Sequence, residues 1–243
     1  ASQHNHGTLT WSTLGGQTAG TLYGPAYGAS FLLAKTEDVR SETPVEEDNW
    51  VAALEWADSL GADVISSSLG YSDWYSYSSF DGQTAITSVA AGTAAGLGIV
   101  VCNSMGNSGP STGTISAPAD AFDIIACGAV DALGYIAQFS SRGPTFDGRI
   151  KPEVCAQGVN TYCAGTSSNT FYTTASGTSL STPLVGGGVA LLLSANPYLT
   201  PLQVRSALMQ TASQAGSPNN NYGWGIIDLV KAYNWGANFR ANT

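Results

Sequence analysis

Short apolar runs recur along this chain, and stretches with helical spacing separate them. The runs read ASFLLAK (29–35), ADVISSS (62–68), GIVVCNS (98–104), FDIIACGA (122–129) and PEVCAQG (152–158). Most are apolar at consecutive positions rather than alternate ones, so strands made from them must be buried on both faces. That pattern is met by a parallel sheet with helices laid over both sides.

The intervening stretches supply such helices. TPVEEDNWVAALEWADSLG places Trp50, Ala53, Leu54, Ala57 and Leu60 on one face. Thr43 is its expected cap, Pro44 its first position, and Glu46 completes a capping box. Gly61 suits a left-handed end. A second helix is expected over about 83–96, with small residues at Ala90, Ala91 and Ala95. A third runs from about Ser179 to Ala195, ahead of Pro197. A fourth starts LTPLQVRSALMQTA, with Thr200 as cap and Pro201 at the first position. The order predicts an α/β fold: a doubly wound, mostly parallel sheet with helices on both faces. No internal repeat or Pro-rich linker divides the chain, so a single domain is expected over residues 1–243.

Charge and cysteine content narrow the function classes. The net charge is −9, from 17 acids and 8 bases, and an acidic surface argues against a nucleic-acid partner. No apolar run reaches the ~18–20 residues of a membrane span. The longest, around Val185–Leu193, is short and interrupted by three glycines. The first residues are polar, unlike a signal peptide. Cys102, Cys127, Cys155 and Cys163 form no C-x-x-C pair, and there are only two histidines, so a zinc site is poorly supported. Buried thiols and disulfides both remain open. Cys155 and Cys163 stand across a short loop, and Cys102 and Cys127 fall in strands.

Three stretches carry chemistry: HGTLTWSTLGG (6–16), VVCNSMGNSGP (100–110) and ASGTSLSTPLVGGGVALLL (175–193). A serine where a Gly-rich turn enters a helix lies beside unpaired N–H groups and a partial positive charge, which favour a developing oxyanion. A histidine supplies a proton acceptor near neutral pH. An asparagine in a tight turn supplies a further N–H donor. In their order and spacing these stretches resemble the subtilisin-like serine proteases, the subtilases of peptidase family S8. His6-Gly7-Thr8 matches the family's histidine motif. Gly106-Asn107-Ser108-Gly109 matches its oxyanion asparagine motif. Gly177-Thr178-Ser179-Leu180-Ser181-Thr182-Pro183 matches its serine motif. ADVISSSLGY, FSSRGP, IKPEV and YGWGIIDLVKA extend the likeness over almost the whole chain.

The resemblance implies a serine endopeptidase acting through an acyl-enzyme on Ser179. His6 would be general base and then general acid, and Asn107 would donate to the oxyanion. Substrate would lie extended beside Ser68, Leu69 and Gly70. With Ser104, Met105 and Gly106 these would wall the first specificity pocket, with Ser116 near its base. None is charged, so a neutral and fairly large substrate side chain is expected. Glu37, Asp38, Glu46, Glu47 and Asp48 would give a preference for basic residues two to four positions before the cut.

The chain departs from the family's pattern in three ways. Leu180 follows the nucleophile where many members carry methionine, and leucine does not form a sulfoxide. The stretch 14–31 has no acid, so no calcium is expected there, although calcium elsewhere stays possible. No other cofactor is implied. The family's orienting aspartate ends an early strand ahead of the histidine motif, and no acid precedes His6. The expectation is an N-terminal fragment, bound without a covalent link, that carries this aspartate and a central strand. The other partner is a protein or peptide substrate, in a secreted or periplasmic setting. The alternative is a pseudoprotease that binds peptides on a subtilase scaffold without cutting them.

Overall fold

Four of the five apolar runs form the expected sheet. The computed structural model describes residues 3–237. In chain order it holds α1 (Asn5–Gly15), β1 (Gln17–Thr18), β2 (Leu22–Tyr23), α2 (Val45–Ser59), β3 (Val64–Ser67), α3 (Ile86–Leu97), β4 (Val100–Ser104) and β5 (Ile125–Val130). There follow β6 (Val154–Gln157), β7 (Thr161–Ala164), β8 (Tyr172–Ala175), α4 (Thr178–Ala195), α5 (Pro201–Thr211) and α6 (Leu229–Ala237). The main sheet is parallel, in the order β3-β4-β5-β6, with Val64 opposite Val100, Cys102 opposite Ile125 and Cys127 opposite Val154. Strands β4 and β5 are buried at every position, as two-sided apolar runs require.

Each face of the sheet has its own core. On one side α4 and α5 pack Val185, Val189, Val204 and Leu208 against Cys102, Cys127 and Val154. On the other, α2 and α3 pack Trp50, Leu54, Ala91 and Ala94 against Val101 and Ile124. The α2 start differs in detail from expectation. Pro44 is the cap residue and Thr43 lies outside, while Glu46 reaches back to accept from the Thr43 N–H at 3.3 Å and the Asp38 N–H at 3.2 Å. Gly61 takes φ +77° after the helix, as expected. At α5 the Thr200 hydroxyl accepts from the Gln203 N–H and the Gln203 side chain accepts in return, a complete capping box.

The fifth run is the correction. ASFLLAK forms no strand. A strand exists through its neighbours' hydrogen bonds, and among the described residues no strand lies beside this segment. Between it and β3 lies a cleft of about 1310 Å³. The outer edge of β6 is covered, since Cys155 N donates to Gly225 O and Ile227 N to Cys155 O. The outer edge of β3 meets no strand among the described residues. Ser66, in the middle of β3, is exposed, whereas β4 beside it is sealed.

All four cysteines are free thiols and all are buried, which resolves the open alternative in favour of thiols. Helix α4 starts one residue before the expected Ser179 and ends at Ala195 as expected. It has 18 residues and a mean hydropathy of 1.4, enough by length and composition to cross a membrane, yet 67% of it is buried inside the fold, as befits a core helix.

Glycines let α4 lie close to its neighbours. A Cβ at Gly186 would stand 3.1 Å from Ser66 Cβ, one at Gly187 2.5 Å from Pro25 Cγ, and one at Gly188 2.7 Å from Leu229 Cδ2. Helix propensity alone favours alanine over glycine by about 1 kcal/mol. Here the rigid Pro25 ring reverses the sign. Gly187→Ala is expected to lower stability by about 1–3 kcal/mol, read as a reduced denaturation midpoint.

Candidate active site

Ser179 sits in the first turn of α4, at the carboxyl end of the parallel sheet, where open α/β folds place their sites. Two hydrogen bonds run between it and Ser68, just past the end of β3. The Ser179 hydroxyl donates to the Ser68 carbonyl at 3.2 Å, and the Ser68 hydroxyl donates to the Ser179 carbonyl at 2.9 Å. The start of α4 is thereby fastened to the segment just past β3.

Asn107 follows β4 and is exposed. Its orientation is set by chemistry rather than by choice. The Thr178 backbone N–H, which can only donate, points at Asn107 Oδ1 from 2.9 Å. The Thr178 hydroxyl donates to the same oxygen at 3.0 Å. With Oδ1 taken, the Nδ2 amide remains the free end, one residue away from Ser179 through Thr178. Thr178 was not singled out from sequence. Its place immediately before the nucleophile was the available signal.

His6 lies in the first turn of α1 and lines the cleft that Ser68 also lines. Its imidazole forms no hydrogen bond with any described residue, and no described carboxylate stands behind it. Part of the ring is open to solvent. Even so, the protein packed around it desolvates the imidazole and lowers its pKa below the ordinary 6.5. The ring is therefore neutral at pH 7, the form that accepts a proton.

The expected pocket walls come together. Ser104 Oγ and Asn103 Nδ2 both donate to the Leu69 carbonyl, each at 3.0 Å, which joins the end of β4 to the segment after β3. Gly70 and Gly106 face Ser116: a Cβ on either would stand 2.3 Å or 3.0 Å from its hydroxyl, respectively. Gly106 also needs its φ of +103°, which side-chain-bearing residues avoid. The Met105 side chain is fully buried with Phe80, Ile115 and Ala126 and belongs to the core.

Glu46 and Glu47 are likewise not offered to a substrate. Glu46 is buried and accepts the two backbone N–H groups described above. Glu47 is buried and accepts from Trp74 Nε1, Tyr75 OH and Thr87 Oγ1 at 2.7, 2.7 and 2.9 Å. Burial raises the Glu37 pKa, although the Tyr71 hydroxyl at 2.7 Å opposes the rise. Oxygens of Glu37, Glu42 and Glu46 lie within 4.8 Å of one another. Hydrogen-bond donors already reach both: Tyr71 and Thr36 donate to Glu37, and the Thr43 and Asp38 N–H groups donate to Glu46.

Fold and site together describe an α/β protein with a helix-borne serine and a facing asparagine at the sheet's carboxyl edge. The chain matches the subtilase family, Peptidase S8, over residues 1–225, and it belongs to that family. It is 40% identical over 184 residues to subtilisin DY of Bacillus licheniformis, covering 75% of this chain and 61% of that protein. It is 36% identical over 236 residues to subtilisin E of Bacillus subtilis, covering 94% of this chain and 55% of that one. The chain thus spans less than two thirds of either relative. Among solved structures, the self-cleaved protease domain of PatA superposes with a TM-score of 0.80 at 25% identity, over 96% of this chain and 83% of that one. Sphericase superposes with 0.75 at 28% identity, over 92% and 77%.

The state of His6 is directly measurable. In NMR titration its ring signals should move with a midpoint below 6.5 while no carboxylate adjoins it. A carboxylate brought beside the ring favours the imidazolium, so the midpoint should then rise.

Proposed function

We propose that this chain carries the nucleophile, the base and the oxyanion donor of a serine endopeptidase. The observation that carries the reading is the pinned Asn107. Two donors from Thr178 hold Oδ1, which leaves Nδ2 to meet negative charge beside Ser179. In the reaction Ser179 Oγ attacks the substrate carbonyl carbon while His6 takes the hydroxyl proton. The carbonyl oxygen gains charge and receives the Asn107 Nδ2–H and the Ser179 backbone N–H. The carbon–nitrogen bond then breaks, and His6 gives its proton to the departing amine. Water, deprotonated by His6, releases the acyl group and restores Ser179.

Two elements must still assemble. The serine hydroxyl has to leave the Ser68 carbonyl for the imidazole, and the imidazole needs a carboxylate to hold its tautomer. The cleft beside β3 suits the second need. Its volume exceeds that of most small-molecule pockets, about 300–1,000 Å³, and suits a peptide segment. Leu32, Leu33, Trp56 and Leu60 line it and are exposed, a surface that asks for cover. The reading places there a strand from a separate N-terminal segment, held without a covalent link, bearing the aspartate behind His6. The solved PatA protease domain, a structural neighbour, is self-cleaved. A secreted or periplasmic setting is proposed from the subtilisin likeness; such a setting favours disulfides, whereas the four thiols here are unpaired.

The second reading, a peptide-binding pseudoprotease, draws on one observation: the Ser179 hydroxyl is bonded to a carbonyl and not to His6. A fluorophosphonate separates the two. As a protease the protein gains one covalent adduct by intact mass, lost in Ser179→Ala; a pseudoprotease gains none. The denatured spectrum also reports any second polypeptide held alongside. In the active protein Asn107→Ala should lower kcat by about 10²–10³, the magnitude known from subtilisin itself.

A further inference from the structure

A second cavity opens at the amino end of the parallel sheet, away from Ser179. Its volume is about 330 Å³, and the segments leading into β5 and β6 border it. Phe122, Ile150 and Trp224 supply apolar walls, while Arg205 of α5 lies beside the buried pair Lys151 and Glu153. Glu153 accepts from Lys151 Nζ at 3.0 Å, from Arg205 Nη2 at 2.8 Å and from the Ala126 N–H at 2.8 Å. One carboxylate thus serves two cations, and both of its oxygens are taken. Arg205 also gives its Nε–H to the Ile124 carbonyl at 3.0 Å. Its Nη1 meets no acceptor among the described residues, and its side chain is 25% exposed. The third cation on the cavity is otherwise engaged. Arg149 lies over the Phe122 ring, 3.9 Å from its centroid, and donates to Asp147 and to the Asp120 and Ala121 carbonyls through Nε and Nη1, while its Nη2 is sealed from solvent.

We infer that this cavity binds a small carboxylate with an apolar body, its carboxylate on Arg205 and its hydrocarbon part between Phe122, Ile150 and Trp224. The inference is independent of the peptidase reading. A guanidinium edge with free N–H groups matches a carboxylate in both shape and charge. Beside desolvated surface such a bond is stronger than the same bond in open water. The walls favour an apolar body, by about 25 cal/mol for each Å² covered. An ammonium is repelled by two cations that share one carboxylate. Phosphate carries more charge than one free guanidinium edge offsets, and it has no apolar part to cover the walls. Asp123 also lines the cavity, but it is exposed, where water and salt screen its charge.

The test is calorimetric titration of the whole protein, at neutral pH, with hexanoate, hexanol, hexylamine and inorganic phosphate in turn. The expected result is that hexanoate binds about tenfold more tightly than hexanol, with hexylamine and phosphate weaker still. Arg205→Gln removes the guanidinium and should lower hexanoate affinity to that of hexanol. Ile150→Trp fills the cavity from an apolar wall, leaves the ions in place, and should weaken hexanoate and hexanol alike. N-acetylleucine and its amide separate two sources of the ligand. N-acetylleucine binding more tightly than hexanoate identifies the C-terminal end of a peptide, and the reverse order identifies a free acid. The amide binding as tightly as the acid overturns the inference. Equal affinity for hexanoate and hexanol in the unaltered protein also overturns it, whether or not the variants fold. So does an absence of hexanoate binding, or binding that Arg205→Gln and Ile150→Trp leave unchanged.

Discussion

The site depends on how closely helix α4 can lie on the sheet. Ser179 is positioned at the first turn of that helix, so any outward shift of the helix moves its hydroxyl away from Ser68 and Asn107. The successive glycines 186–188 remove the side chains that would hold it off. Their lost helix propensity is offset by the core that α4 completes, where Val185 and Val189 reach four strands' worth of buried apolar surface. The same closeness fixes both hydrogen bonds between Ser179 and Ser68 and brings Thr178 onto Asn107. Packing deep in the domain is thus converted into geometry at its rim.

The two ends of the sheet contrast. At β6 the chain itself supplies a covering segment, 224–227, that bonds the strand's outer edge. At β3 the described residues supply none, and the strand, the cleft and the unpaired run 29–35 are consequences of one another. An unpaired edge beside exposed leucines and tryptophan is a poor free surface and a good template. The groups nearest the cleft's polar end, Glu37 and Glu46, are already committed to hydrogen bonds within the fold.

The sequence made much of this legible, because two-sided burial leaves an unambiguous trace. β4 and β5 could be read from consecutive apolar residues, and α2, α4 and α5 from spacing and caps. Elements without such a trace were missed. Helix α1 carries His6 but is short and partly polar, and the β7–β8 hairpin has exposed positions on its outer side. ASFLLAK shows the converse: its residues favour a strand, yet pairing decides, and no strand pairs with it among the described residues. At the site, residue identities were readable and their relations were not. That Asn107 turns its oxygen toward Thr178, that Met105 points inward, and that Glu47 serves two aromatic side chains and a threonine all depend on contacts between distant segments.

The sealed state of the cysteines has a practical consequence. Cys102, Cys127 and Cys155 lie within the sheet and Cys163 on β7, all out of reach of solvent. Burial drives the Cys155 thiol up to about 12 and raises the others too, so the nucleophilic thiolate is scarce throughout. A single cysteine engineered onto the surface would thus be the sole fast-reacting sulfur, and a dye, crosslinker or surface tether would attach at one chosen address without first stripping the native residues.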